Sequence, residues 1–171
     1  QTNPNNKRLY TAKIYVVTND GIVHGPFKGS SFPNNPKKQN TLKEGTHAFN
    51  NLSGHKGGTK KGLNIVNQFG ARTAPGTSPK GSDVTMTTVN VHSGQDPAEN
   101  NGQENRGSAG CPTICPNEAA TFFNNFDFSG KNGTTGRAEG EIKIFRGESP
   151  EKKEAENDIN DVKKFKAVQN K

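Results

Sequence analysis

The chain has few of the residues from which large hydrophobic cores are built. Its 171 residues include no tryptophan, one methionine and two tyrosines, and only 27% of them are hydrophobic. A modest β core with long loops is therefore favoured over a helical bundle, which agrees with the 20 glycines and 10 prolines. No run is long and apolar enough to cross a membrane, so we expect no transmembrane segment.

Acidic residues are outnumbered by basic ones, 16 to 23, which gives a formal net charge of +7. This balance favours an anionic environment, such as nucleic acid, a lipid surface or an anionic wall polymer. The lysines occur in scattered pairs, without a basic helix or interleaved aromatic residues. We therefore expect no nucleic acid partner.

The length fits one domain, which composition divides into three parts. Residues 1–8 are polar and predict a loose N-terminal arm, and residues 9–146 contain the runs of a folded domain. Residues 147–171 are rich in Lys and Glu and predict a charged helical or mobile tail. The chain begins at Gln1 rather than Met, as a processed mature protein or an excised fragment does, which leaves a removed secretion signal open.

Short β-type runs follow one another through the folded part. A hairpin is predicted over 9–27, because Asn19-Asp20-Gly21 supplies a tight turn between two apolar runs. Further strands are predicted within 41–52, 63–69, 84–91 and 141–145, and a loop over 71–83, which holds two prolines and two glycines. After Pro116 the apolar spacing predicts a helix, whose buried face would comprise Ala119, Phe122, Phe123 and Phe126. These elements predict a mainly β fold with one or two helices.

One histidine and one cysteine stand where a thiol nucleophile and its base would be expected. The alternating run 84–91 predicts a strand with His92 at its end, and Cys111 follows a polar loop in the turn Ser108-Ala109-Gly110-Cys111. An imidazole activates a thiol by taking its proton. Gly110 would let backbone N–H groups approach the oxygen of a reacting carbonyl, as in an oxyanion hole.

The step His92-Ser93-Gly94, followed by Ser-x-Gly-Cys ending at Cys111, resembles the signature of the L,D-transpeptidase catalytic domain, a bacterial cell-wall enzyme fold. The resemblance implies a β-sandwich or barrel over residues 9–146, with a helix after the catalytic cysteine. It also implies that Cys111 is the acylated nucleophile and His92 its base.

The same resemblance implies that Ser108 and Gly110 shape the turn before the nucleophile. The chain departs from the family at two positions beside the cysteine. Members often carry a second histidine where this chain has Ala109, and many carry an arginine where it has Thr113. That arginine is expected to help hold the substrate, so its loss weakens the case for ordinary transpeptidation.

Several other residues are weaker candidates. By the resemblance, His47 stands in a strand that lines the cleft, at a position where an aromatic residue is common. Arg106 is a candidate to bind a substrate carboxylate in place of the missing arginine, because a guanidinium fits a carboxylate bidentately; an exposed loop arginine is the alternative. Ser93 either hydrogen-bonds near the base or merely follows the strand. His24 and His55 are expected to be solvated.

Cys115 follows Cys111 closely, but two cysteines are too few for a disulfide framework. A disulfide between them would block the nucleophile, so a spectator thiol is favoured and a regulatory disulfide is the alternative. A zinc site that added His92 to the two cysteines would lack a fourth ligand and fits no standard spacing. We therefore expect no metal and no cofactor.

The residues and the resemblance together predict cysteine-dependent acyl transfer on peptidoglycan stem peptides. The reaction would be L,D-transpeptidation, D-amino acid exchange or L,D-carboxypeptidase hydrolysis, in a secreted or periplasmic protein. A secreted antibacterial toxin, with an immunity protein as a partner, is a variant of this hypothesis. The alternative is a non-catalytic wall-binding module that keeps the fold and holds anionic polymer with its cationic loops. The departures at Ala109 and Thr113 favour that alternative.

Overall fold

The computed structural model describes residues 10–95 and 107–147, together with 153, 154 and 156–160. The predicted N-terminal arm and Arg106 lie outside these residues. Within the predicted tail, residues 153, 154 and 156–160 are helical, whereas Gly147 lies in a bend. No helix among the described residues has the length and apolar character needed to span a membrane.

The described residues form a mainly β fold with two helices, which confirms the predicted class. The strands are β1 (Ala12–Val17), β2 (Val23–Ser30), β3 (Thr41–Leu42), β4 (Gly45–Asn50), β5 (Gly62–Val66), β6 (Thr73–Thr77), β7 (Asp83–Thr87), β8 (Asn90–Ser93), β9 (Thr113–Ile114) and β10 (Glu139–Ile144). The helix α1 spans Pro116–Phe123, and Lys131–Gly133 form a short 3-10 turn.

Seven of the strands form one curled sheet, a half-barrel, in the order β1-β2-β9-β8-β5-β4-β10. The other three form a small sheet in the order β3-β6-β7. Strands β8 and β9 pair in parallel, which places His92 opposite Thr113. Because Thr113 follows Cys111 by two residues, this pairing brings the turn that carries Cys111 beside the strand of His92.

Helix α1 covers one face of the half-barrel, where it meets the hydrophobic core. Its buried Phe122 packs edge-on against Phe27 of β2, with ring centroids 5.5 Å apart. Phe126 lies beyond the last helical residue, but its ring still packs against Phe49 of β4 at a centroid distance of 5.8 Å. The predicted apolar face therefore exists, although the helix itself ends at Phe123.

The loop predicted over 71–83 is wrong at its centre, because Thr73–Thr77 form β6 and pair with β7. Gly76 explains the error. A Cβ at this position would lie 2.5 Å from the side chain of Met86, so glycine here allows close packing between neighbouring strands. The predicted first hairpin is confirmed: Gly21 adopts a φ of +76° in the turn between β1 and β2.

Candidate functional site

One face of the half-barrel carries a row of buried polar side chains. Asn90 and His92 project from the same face of β8, because side chains alternate along a strand. Strand register places Asn64 of β5 beside Asn90, and Thr113 of β9 beside His92. All four are at most 4% exposed. Buried polar groups need hydrogen-bond partners, so a set of this kind either organises the fold or forms a site.

Backbone and side-chain hydrogen bonds fix the turn that carries Cys111. The hydroxyl of Ser108 donates to the carbonyl of Cys111 at 2.6 Å and accepts the N–H of Gly110 at 3.1 Å. Gly110 has a φ of +150°, and a Cβ there would lie 2.9 Å from the carbonyl oxygen of Asn40. Ser108 and Gly110 therefore fix the conformation of this turn, and the Gly110 N–H is bound to the Ser108 hydroxyl.

The sulfur of Cys111 lies against the backbone of β8, where it accepts the N–H of Asn90 at 3.4 Å. Burial raises the pKa of the Cys111 thiol above its usual value. The Asn90 N–H, the Ser108 hydroxyl and the positive charge of Arg72 oppose that rise without overcoming it. The thiol is therefore protonated at neutral pH until a base removes its proton.

His92 is held as a neutral imidazole. Its Nδ1 lies 2.6 Å from the backbone carbonyl oxygen of Ser93. A carbonyl can only accept, so Nδ1 carries the proton and Nε2 keeps a free lone pair. Burial lowers the pKa of His92, assisted by the charges of Lys56 and Lys60 and opposed by the Ser93 carbonyl. Such an imidazole can accept a proton at Nε2 at neutral pH.

His55 belongs to the same cluster, although it was expected to be solvated. Its ring stacks on that of His92, with centroids 4.0 Å apart and planes inclined by only 4°. Burial lowers the pKa of His55 to about 4, with further lowering from His92, Lys56, Lys60 and Arg72. The two rings are therefore both neutral near pH 7.

Asn90 links the thiol to the histidine pair. Its carboxamide oxygen accepts from Asn64 at 2.7 Å and from Arg72 at 2.8 Å. Its carboxamide nitrogen lies 3.2 Å from Nδ1 of His55. With the backbone N–H on the Cys111 sulfur, one residue contacts the thiol, a guanidinium and an imidazole at once.

Sequence reasoning missed His55, Asn90 and Arg72 as members of this cluster. Asn90 could have been predicted from the sequence, because residues two positions apart on a strand share a face and Asn90 is two positions before His92. His55 and Arg72 lie outside the strands, before β5 and before β6. Pairing between strands that are distant in the sequence brings both residues next to Asn90. No local pattern marked either of them.

The remaining predicted residues are placed as follows. His47 lies on the opposite face of the sheet from His92. Asn50 of β4 pairs with Asn64, which pairs with Asn90, so these three side chains share the face of His92. His47 is three positions before Asn50, and side chains alternate along a strand, so His47 faces the other way. Its ring instead hydrogen-bonds the carbonyl of Lys43 at 2.9 Å. Ser93 contributes its carbonyl to His92, while its hydroxyl donates to the carbonyl of Gly94.

Two further features bear on chemistry near the thiol. Cys115 is free and half-buried. Thr113 is fully buried, and its hydroxyl has no hydrogen-bond partner among the described residues. The described residues contain no cluster of His, Cys, Asp and Glu that could hold a metal ion.

A shallow, open pocket of about 430 Å³ lies along β6 and β7, and neither Cys111 nor His92 lines it. Lys43 and Asp83 border it and form an ion pair at 2.7 Å. The chemistry described above is thus carried by a hydrogen-bonded side-chain cluster and not by this cavity.

Comparisons with known proteins add no assignment: no protein-family model matches the chain, and neither a curated protein nor a solved structure matches it.

Proposed function

We propose that the protein is a cysteine acyltransferase of the L,D-transpeptidase type that acts on peptidoglycan stem peptides. Cys111 is its nucleophile and His92 its general base. The observation that carries the proposal is the tautomer of His92: Nδ1–H is bound to the Ser93 carbonyl, so Nε2 is left to accept a proton. The parallel pairing of β8 with β9 supports the assignment, because it brings the Cys111 turn beside the strand of His92.

The pKa directions favour general-base activation over a thiolate–imidazolium pair formed in advance. Burial disfavours the charged form of both groups, raising the pKa of Cys111 and lowering that of His92. In the proposed first step, Nε2 of His92 takes the thiol proton while the sulfur attacks the carbonyl carbon of the L,D bond. The N–H of Cys111 is the proposed donor to the oxyanion, because that of Gly110 is bound to Ser108.

Collapse of the tetrahedral intermediate breaks the C–N bond, and the imidazolium of His92 returns its proton to the departing D-amino acid. A thioester on Cys111 remains. An amine of a neighbouring stem, a free D-amino acid or water then attacks that thioester after losing a proton to His92, and the thiol is regenerated. The three acceptors correspond to cross-linking, exchange and carboxypeptidase activity.

The test is mass spectrometry of stem peptides incubated with wild type and with Cys111→Ala. We expect loss of the terminal D-amino acid, or its exchange, only with wild type, and a covalent adduct on the peptide that contains Cys111. Cys115→Ala is the matched control, since Cys115 is also free and half-buried, and it should retain the activity. Identical products from wild type and Cys111→Ala would refute the proposal.

The secreted or periplasmic location and the toxin variant belong to the same proposal. If the protein is an antibacterial toxin, export to the periplasm of a bacterial host should misshape or lyse cells with wild type and leave them intact with Cys111→Ala. Co-expression of an immunity protein would prevent the damage. Growth without damage in both cases would exclude the toxin but not the enzyme.

A non-catalytic wall-binding module is the second candidate, and the departures from the family pattern at Ala109 and Thr113 favour it. This candidate requires that purified wall binds wild type and Cys111→Ala equally, and that no thioester forms. Because the cationic loops would hold anionic polymer, binding should also weaken as salt is raised.

A further inference from the structure

The backbone fixes the orientation of the Asn64 carboxamide. Its oxygen accepts the N–H of Ser53 at 3.0 Å, and its nitrogen donates to the carbonyl of Gly54 at 2.7 Å. Since a backbone N–H can only donate and a carbonyl can only accept, the amide cannot be reversed without losing both bonds. Asn64 therefore presents its second N–H to Asn90, 2.7 Å away.

The Asn90 carboxamide is fixed in turn. Its oxygen faces two donors, Asn64 and the guanidinium of Arg72, and a guanidinium has no acceptor. Its nitrogen must then donate to Nδ1 of His55. It follows that His55 carries its single proton on Nε2, because a second proton on Nδ1 would face the N–H of Asn90.

His55 is thus a neutral ring of fixed orientation, and it lies flat against His92. Among the described residues, the charged side chains that act on the two rings are Lys56, Lys60 and Arg72, all of them cationic, so none of these favours an imidazolium. A flat neutral ring at 4.0 Å removes water from one face of His92 and restricts its rotation.

We infer that His55 is a positioning residue of this site: its stacked ring holds the His92 imidazole in the orientation set by Ser93 and shields it from water. The inference rests on the proposed function only in so far as it treats His92 as the general base. His55 touches neither the thiol nor a substrate in this role. It acts through His92.

The experiment compares His55→Phe with His55→Gln. Phenylalanine keeps a flat ring against His92 but removes the acceptor for Asn90. Glutamine keeps an acceptor for Asn90 but removes the ring. The pKa of His92 is measured by NMR titration of its labelled imidazole, with the imidazoles of His24 and His47 as references that neither substitution should move.

We expect the pKa of His92 to rise toward about 6.5 in His55→Gln and to stay lowered in His55→Phe. With stem peptides, kcat should fall roughly 100-fold in His55→Gln, because misplacing a base is costly, and much less in His55→Phe. The acid limb of the pH–rate profile should move to higher pH in His55→Gln only.

An unchanged pKa of His92 in His55→Gln, or an equal rise in both variants, would overturn the inference. If His55→Gln fails to fold, the result from His55→Phe still decides. A rise of the His92 pKa to its ordinary value in His55→Phe would show that a stacked ring is not what keeps this pKa low. The titration needs no turnover. A wild type without acyl transfer would therefore refute the proposed function while the titration still decides the role of His55.

Discussion

The backbone N–H of Asn90 donates to the sulfur of Cys111 at 3.4 Å, across a separation of 21 residues. This contact holds the thiol against β8 independently of the side chain of His92. A hydrogen bond of this kind favours the thiolate, as do the Ser108 hydroxyl and the charge of Arg72, but burial outweighs them. The thiol is therefore neutral in the free protein, and the site suits a thiol that loses its proton only when it attacks a substrate.

Arg72 should control how readily Cys111 ionises. Because its charge lowers the pKa of the thiol, Arg72→Gln should raise that pKa further, and Arg72→Lys should leave it nearer the wild-type value. At pH 8 we expect alkylation of Cys111 by iodoacetamide to be roughly threefold slower in Arg72→Gln, since only the thiolate reacts. The rate is measured by mass spectrometry in a Cys115→Ala background.

The control for that experiment is Arg137→Gln, which removes the same charge from an exposed position beside Asp127. It should leave the alkylation rate unchanged. An equal slowing in both variants would mean that the total charge of the protein, and not the place of Arg72, sets the reactivity of the thiol.

The histidine pair should make stability depend on pH. The pKa of His55 is lowered from 6.5 to about 4 in the folded protein, and that of His92 is lowered as well. Below pH 6.5 the unfolded chain binds protons that the folded protein does not, so the free energy of unfolding falls as the pH drops toward 4. Above pH 6.5 both states are neutral at these rings, and the effect disappears.

His55→Phe removes one of the two titrating groups, so the loss of stability between pH 6.5 and pH 4 should be shallower in that variant. Urea denaturation at several pH values measures the slope. If unfolding free energy fell equally steeply with pH in the variant and in wild type, the pKa of His55 would not be lowered by folding.

The parts of the fold that were predictable are those with local causes. Asn19-Asp20-Gly21 predicted the first hairpin, because a tight turn needs residues that tolerate positive φ. The single strand predicted over 84–91 is wrong, because the chain breaks at Thr88, whose φ is +55°, into β7 of the small sheet and β8 of the half-barrel, and His92 lies within β8. Gly76 misled the prediction, because the same residue type marks both a loop and a close approach between strands.

The site was predictable only where its residues share a strand or a turn. His92 and Cys111 carry a recognisable local pattern, whereas Arg72 reaches Asn90 from a loop 18 positions earlier in the chain. His55 reaches His92 because β5 pairs with β8. Such contacts depend on sheet order, which a single sequence does not specify.

Asn64 should be essential to stability because it satisfies two backbone groups and Asn90 while fully buried. Asn64→Leu removes these bonds from the Ser53 N–H and the Gly54 carbonyl and leaves the Asn90 oxygen with Arg72 as its remaining donor, so we expect a loss of roughly 2–4 kcal/mol in the free energy of unfolding. Asn50→Ala is the control, since Asn50 is partly exposed and accepts a single backbone N–H. Urea denaturation measures both, and similar losses would contradict the role given to Asn64.

Gly110 should tolerate alanine poorly, for two separable reasons. Its φ of +150° is strained for any residue with a Cβ, and that Cβ would meet the end of the Met86 side chain at 2.6 Å and the backbone oxygen of Asn40 at 2.9 Å. Gly81 provides the matched control, because its φ is +85° but no atom lies within 4 Å of a Cβ built there. Gly81→Ala measures backbone strain alone.

We expect Gly81→Ala to cost about 1 kcal/mol of unfolding free energy and Gly110→Ala roughly 2–4 kcal/mol, because the second adds a clash with backbone that cannot move away easily. The Met86 side chain is flexible and can move away from a new Cβ, whereas the Asn40 backbone cannot. Combining Gly110→Ala with Met86→Ala should therefore leave the cost of the clash with Asn40 unchanged. Thermal and urea denaturation of the four proteins, wild type included, measure these differences. Equal costs at Gly81 and Gly110 would show that the Cys111 turn has room for a side chain, so glycine there would serve the backbone conformation alone.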